Sequence, residues 1–173
     1  MSVSEWLNFN NETIATISSI CAVLISVLSM VFTIINSAFQ LKHNKNSVRP
    51  ISLISLHDYE DELAVIIKNV GTGPLTIKKL IFKNEFQESP TLITMMPHID
   101  QPWSTFTEVV DGWTIPVGGE IVILKLCPEK EETKEAIRKK LLEITAYLDY
   151  SDIYGSKFKD MRLFDFFGRH YVN

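Results

Sequence analysis

The sequence predicts a mainly β protein with one N-terminal transmembrane helix, followed by a β-sandwich-like domain of about seven strands with one inserted helix. Three observations predict it. No charged residue occurs between Glu12 and Lys42, the hydrophobic period changes to two after Pro50, and one charged amphipathic segment follows Pro128.

The apolar run comes first. From Ile14 to Ile35, at about 1.5 Å per residue, it spans roughly 33 Å as a helix, which matches one bilayer crossing. A cleaved secretory signal has a basic lead and a shorter apolar core, whereas this lead carries Glu5 and Glu12 and no base. The segment therefore reads as a retained anchor. Positive charge follows it, at Lys42, His43, Lys45 and Arg49, so the positive-inside bias predicts the N-terminus outside the cell inner membrane and the remainder in the cytoplasm. The expected boundaries are an extracytoplasmic tail over 1–12, a transmembrane helix over 13–41, a linker over 42–50 and a cytosolic β-rich domain over 51–173.

Within the anchor, Ala15, Ser19, Ala22, Ser26, Ser29, Thr33 and Asn36 step alternately by four and three. This is a heptad seam of small and hydroxyl-bearing residues, of the kind that lets helices approach closely in lipid. The competing explanation is that each hydroxyl bonds back to its own i−4 carbonyl and needs no partner. The regularity of the seam favours a parallel homo-oligomer in the bilayer, and leaves open whether the seam is a dry interface or lines a pore.

After the anchor about 130 residues remain, enough for one domain with its own core. The chain carries 17 basic and 21 acidic residues, a formal charge of −4, which argues against binding long nucleic acid. Of the two cysteines, Cys21 sits in the anchor and Cys127 in the domain, so no disulfide between them is expected.

Ile51, Leu53, Ile54 and Leu56, then "LAVIIKNV", read as two strands turning at Glu60 and Asp61. In "NVGTGPLTIKKLIF", Asn69, Gly71 and Gly73 are expected to supply positive-φ positions, and Pro74 to open a third strand. The apolar parity flips between Ile77 and Leu80, which predicts a bulge at Lys78 and Lys79. "STFTEVV" and "EIVILKLC" read as further strands, the second after the turn "PVGG". In "EKEETKEAIRKKLLEI", Ile137, Leu141 and Ile144 share a helical face, and Glu135 pairs with Lys139. "ITAYLDY" and "SKFKDMRLF" form a hairpin across "SDIYG".

The stretches "IKNVGTGPLTI" and "AYLDYSDIYG" resemble a group of bacterial single-pass membrane proteins with an immunoglobulin-like cytosolic domain. The layout of an anchor before a compact β-rich domain is similar to membrane effectors of bacterial antiviral systems gated by cyclic nucleotides or cyclic oligoadenylates. That resemblance implies a cyclic nucleotide or oligonucleotide ligand, an oligomer and a membrane-perturbing output.

The residues themselves carry no recognisable catalytic constellation. H-E-x-x-H, C-x-x-C, G-x-S-x-G and the P-loop pattern do not occur, and His43, His57, His98 and His170 are scattered. No enzyme activity, cofactor or metal site is expected; His57, Asp58 and Asp61 flank a turn where solvated charges belong. The end of the chain interleaves bases with aromatics, and Tyr154, Lys157, Arg162 and Arg169 are the expected ligand-binding residues, since cations hold phosphates and aromatic faces stack bases. Lys78, Lys79 and Lys83 form a second basic group. The alternative is a non-enzymatic anchor that recruits a cytosolic protein partner through an exposed sheet edge.

Overall fold

The computed structural model describes residues 3–171, which divide into two units at Asn46 and Ser47. The first is one continuous helix, α1 (Val3–Ser47), whose stretch from Thr13 to Ser47 is long and apolar enough to cross a membrane, its most apolar 18 residues having a mean hydropathy of 2.4. It is longer than the sequence reading at both ends. The expected tail is helical from Val3, and the expected linker is helical through Ser47. The physical reason is the absence of any Gly or Pro before Pro50, whose ring disfavours a helical conformation at the preceding residue.

The second unit contains nine strands in two antiparallel sheets. β1 (Ser52–Asp58) and β2 (Leu63–Asn69) form the first hairpin. β3 (Leu75–Lys83), β4 (Glu88–Ser89), β5 (Thr105–Phe106), β6 (Thr114–Ile115) and β7 (Glu120–Leu126) follow, then α2 (Glu131–Leu142), β8 (Thr145–Ser151) and β9 (Lys157–Leu163). The first sheet runs β1-β2-β7-β5 and the second β4-β3-β8-β9, with β6 also paired to β3. Leu56, Val65, Ile67 and Ile123 of the first sheet share one core with Leu80, Phe82 and Leu148 of the second, closed by Phe164 and Phe167 beyond β9.

The expected strand "STFTEVV" is cut short. After Thr107 donates to the Ile123 carbonyl, the chain leaves β7, buries Val110 and crosses to the other sheet, where Gly112 donates to Ile77 and Ile77 to Trp113. Gly112, at φ 84°, supplies the left-handed position this crossing requires.

The turn after β2 differs from expectation in kind. Asn69, Gly71 and Gly73 do not take positive φ; those positions are Gly112, Gly118 and Gly155. Gly71 and Gly73 are small because backbone passes against them: a Cβ at Gly71 would lie 2.3 Å from the Ile51 nitrogen, and one at Gly73 only 1.8 Å from the Val48 carbonyl oxygen. Asn69, fully buried, ties this crossing together. Its Oδ1 accepts from Gly71 N–H at 3.1 Å and Ile51 N–H at 3.4 Å, while Nδ2 donates to the carbonyls of Gly73 (2.8 Å), Ile115 (3.1 Å) and Pro116 (3.2 Å).

Beside the β1–β2 turn, Glu62 accepts from Lys125 Nζ at 2.6 Å and pairs with His57 Nδ1 at 3.2 Å. The Lys125 hydrogen bond, against partial desolvation and with help from His57, holds the Glu62 carboxyl below its ordinary 4.5. Its folded pKa is depressed, so its stabilisation is present above pH 4.5 and is lost as pH falls through the lower folded value. In acid titrations of unfolding, Glu62→Gln is expected to flatten the stability slope below pH 4.5 relative to the parent chain. An unchanged slope would show that the pair does not contribute.

Candidate functional site

The solvent face of the second sheet is built by three strands. On β3, the register shifts between Ile77 and Lys79, so Lys78 and Lys79 both point outward while Ile77 and Leu80 stay in the core. Asp111 holds this bulge by accepting the Leu80 N–H at 3.1 Å. The expected bulge is therefore present, and its effect is to place two adjacent cations on one face.

Cross-strand pairing arranges that face in rows. Ile81 lies opposite Tyr147, which lies opposite Met161; on one side of this apolar row run Lys79, Asp149 and Lys159, and on the other Lys83, Thr145 and Leu163. Lys157 follows on β9, opposite Ser151. A depression of about 450 Å³ is lined by Lys79, Ile81, Tyr147, Asp149, Lys159, Asp160 and Met161. Lys78 and Lys157 border a neighbouring one of about 300 Å³.

The charge balance on this face is positive. Lys159 approaches Asp149 at 3.7 Å, a well-exposed pair worth little in water. Lys78, Lys79, Lys83 and Lys157 have no ion pair among the described residues; the further acids nearby are Asp160 in the same depression, Asp111 beside the bulge and Glu88 opposite Lys83. Unpaired lysines around a half-exposed tyrosine and an apolar row form a surface that can hold phosphate oxygens by charge and a flat ring by stacking.

The structure separates the four residues expected to act together. Lys157 belongs to the lysine face. Arg162, an odd number of residues further along the same strand, points to the opposite side, across from the buried Ala146. Tyr154 sits in the β8–β9 turn, where its N–H donates to Asp152 Oδ1 at 2.8 Å. Arg169 is committed elsewhere: it donates to the Asp58 carbonyl at 2.5 Å, approaches the Asp58 carboxylate at 3.3 Å and stacks 4.1 Å from the Phe166 ring centre. The two basic groups seen separately in the sequence, on β3 and on β9, converge across β8. Tyr147 at their centre was missed, although the alternation of "ITAYLDY" against "SKFKDMRL" carries the signal.

Asp58 also departs from expectation, because its side chain is fully buried rather than solvated beside the turn. Arg138 on α2 donates to it from Nε at 3.0 and 3.1 Å and from Nη2 at 2.8 Å, and His170 stands at 3.4 Å. Burial opposes the charge on Arg138, but hydrogen bonding and attraction to Asp58, then Glu131, outweigh it and leave its pKa raised. His57 is likewise engaged, with Glu62 and with Ser55. These groups join β1, α2 and the C-terminal 3-10 turn Asp165–Gly168.

In α1, Ser19, Ser26 and Thr33 donate to the carbonyls of Ala15, Ala22 and Ser29 at 2.8–2.9 Å. Three seam hydroxyls are thus satisfied within the helix and offer small surface; Ser29 and Asn36 make no such side-chain bond among the described residues.

No family model, no curated protein and no solved structure matches the chain. "IKNVGTGPLTI" corresponds here to the end of β2, the Asn69 crossing and the start of β3, and "AYLDYSDIYG" to β8 and its turn.

Proposed function

We propose that the chain is an inner-membrane sensor in antiviral defence whose cytosolic β domain binds a phosphate-bearing ligand, a cyclic nucleotide or cyclic oligonucleotide, and passes the event to a self-associating anchor that perturbs the bilayer. The observation that carries the ligand is the lysine face: Lys79 and Lys83, unpaired among the described residues, flank the Tyr147 row, and Lys78 and Lys157, likewise unpaired, border the neighbouring depression. The apolar, membrane-length helix supports the anchor, and the basic residues after it support a cytosolic domain. The ligand site moves accordingly from the sequence-expected set to β3, β8 and β9, keeping Lys157.

The test is a titration of the detergent-solubilised full chain with cyclic dinucleotides and cyclic oligoadenylates, followed by thermal shift. Lys79→Glu combined with Lys159→Glu is expected to weaken binding by more than tenfold and to make what remains less sensitive to salt, because less attraction is left to screen. Tyr147→Ala is expected to weaken it roughly tenfold by removing one stacking surface. Arg162→Glu, on the opposite side of β9, should leave it unchanged. If no ligand of this class shifts the melting temperature while a cytosolic protein binds the Tyr147–Met161 row saturably, the chain is a recruiting anchor instead.

A further inference from the structure

β9 ends its sheet. Its inner edge pairs with β8 from Lys157 to Leu163, and no strand among the described residues covers its outer edge. A regular edge strand without proline or bulge presents N–H and C=O groups to another chain. In the single chain the Met161 N–H is held by Asp160 Oδ1 at 2.8 Å, a bond from the adjacent residue that a partner strand has to displace, while Asp160 Oδ2 accepts from Ser52 Oγ at 2.5 Å. Along it, Lys157, Lys159, Met161 and Leu163 face the lysine side, while Phe158, Asp160 and Arg162 face the other. Arg162 has no acidic partner among the described residues, although it sits on the core-facing side of the strand.

We propose that a second copy of this chain occupies that edge, β9 against β9 and antiparallel, in the register centred on Met161. This interface is independent of the ligand proposed above. A twofold pair of this kind places one residue opposite its own copy, so the possible registers can be compared by charge. Centring on Asp160 sets carboxylate against carboxylate, and centring on Lys159 or Arg162 sets like cations together. Centring on Phe158 opposes Lys157 to Lys159. Directly opposed like charges destabilise a sheet. The Met161 register avoids all of these contacts. It sets Asp160 opposite Arg162 of the second copy on both sides of the axis, and Lys159 opposite Leu163.

The same register aligns the apolar rows. Ile81, Tyr147 and Met161 of one copy continue into Met161, Tyr147 and Ile81 of the other, and Met161, 61% exposed in the single chain, becomes central. The charges thus act as a selector: they disfavour the registers centred on Phe158, Lys159, Asp160 and Arg162, and of those centred on Met161 and Leu163, only the first sets opposite charges against each other.

The experiment is cysteine crosslinking of the full chain in detergent, in a Cys21→Ser, Cys127→Ser background. Opposed Cα atoms in an antiparallel pair lie about 4.5–5.5 Å apart, within disulfide reach. Met161→Cys is therefore expected to oxidise to a homodimer, whereas Tyr154→Cys and Lys157→Cys are not. Asp160→Arg or Arg162→Asp, each added to Met161→Cys, should lower the crosslinked yield at least fivefold, and the two together should restore it. Equal crosslinking at all three cysteine positions would mean that the copies are gathered by the anchor alone and would overturn the proposal. So would failure of the double exchange to restore the yield in a chain whose circular dichroism matches the parent.

Discussion

Arg138→Ala is expected to lower the unfolding free energy by roughly 3–5 kcal/mol, because it strands a buried carboxylate. Asp58 is fully buried and takes three hydrogen bonds from this one guanidinium, with donor–acceptor distances of 2.8–3.1 Å. Arg169 and His170 approach the same carboxylate at 3.3 and 3.4 Å, so they compensate in part and place the loss toward the lower end of that range. Arg169→Ala should cost clearly less, since its side chain is 36% exposed and its removal leaves Arg138 in place. Denaturant unfolding of the solubilised full chain, followed by tryptophan fluorescence, measures both. Equal losses would mean that the tail, and not α2, holds the carboxylate.

Asn69→Ala is the second large effect, expected at about 3 kcal/mol or more, since each buried polar group left without a partner costs roughly 1–3 kcal/mol. The change removes the partner of three carbonyls and two N–H groups at once. Asn69→Asp should fare no better, because a carboxylate cannot donate to the carbonyls of Gly73, Ile115 and Pro116. Gly73→Ala attacks the same crossing sterically, with its Cβ directed at the Val48 carbonyl, a backbone obstacle that no rotamer relieves. Limited thermolysin digestion gives an independent readout. All three variants should be cut before Val48 or Ile51 faster than the parent chain, whereas a surface control such as Lys139→Ala should not.

Local patterns in the sequence carried the long strands, the parity flip at Lys78 and Lys79, and the position of α2, because each depends on residues within a few positions. What escaped depends on partners far away. Asp58 beside a turn looks solvated until Arg138, 80 residues later, and Arg169, 111 residues later, are brought onto it. Grouping Lys157 with Arg162 overlooked the strand period, which puts an odd spacing on opposite faces. That error was legible in principle. The convergence of the β3 and β9 lysines was not, because it requires knowing that β8 lies between them. The glycines after β2 were recognised as special for the wrong reason: positive φ and close backbone approach both demand glycine, and the sequence alone does not distinguish them.

The crossing at Asn69 has a mechanical consequence. Tension carried along the chain from α1 arrives at Val48, and β1 begins only at Ser52. Between them, Thr72 N–H holds the Arg49 carbonyl at 3.0 Å, Val70 N–H holds that of Ile51 at 2.9 Å, and Asn69 holds the Ile51 N–H. A pull has to tear out these bonds before it loads the ladder of β1. The crossing therefore serves as a strain relief, like the grip where a cable meets its housing, and a pull along α1 is taken up at the end of β2 before it loads the length of β1.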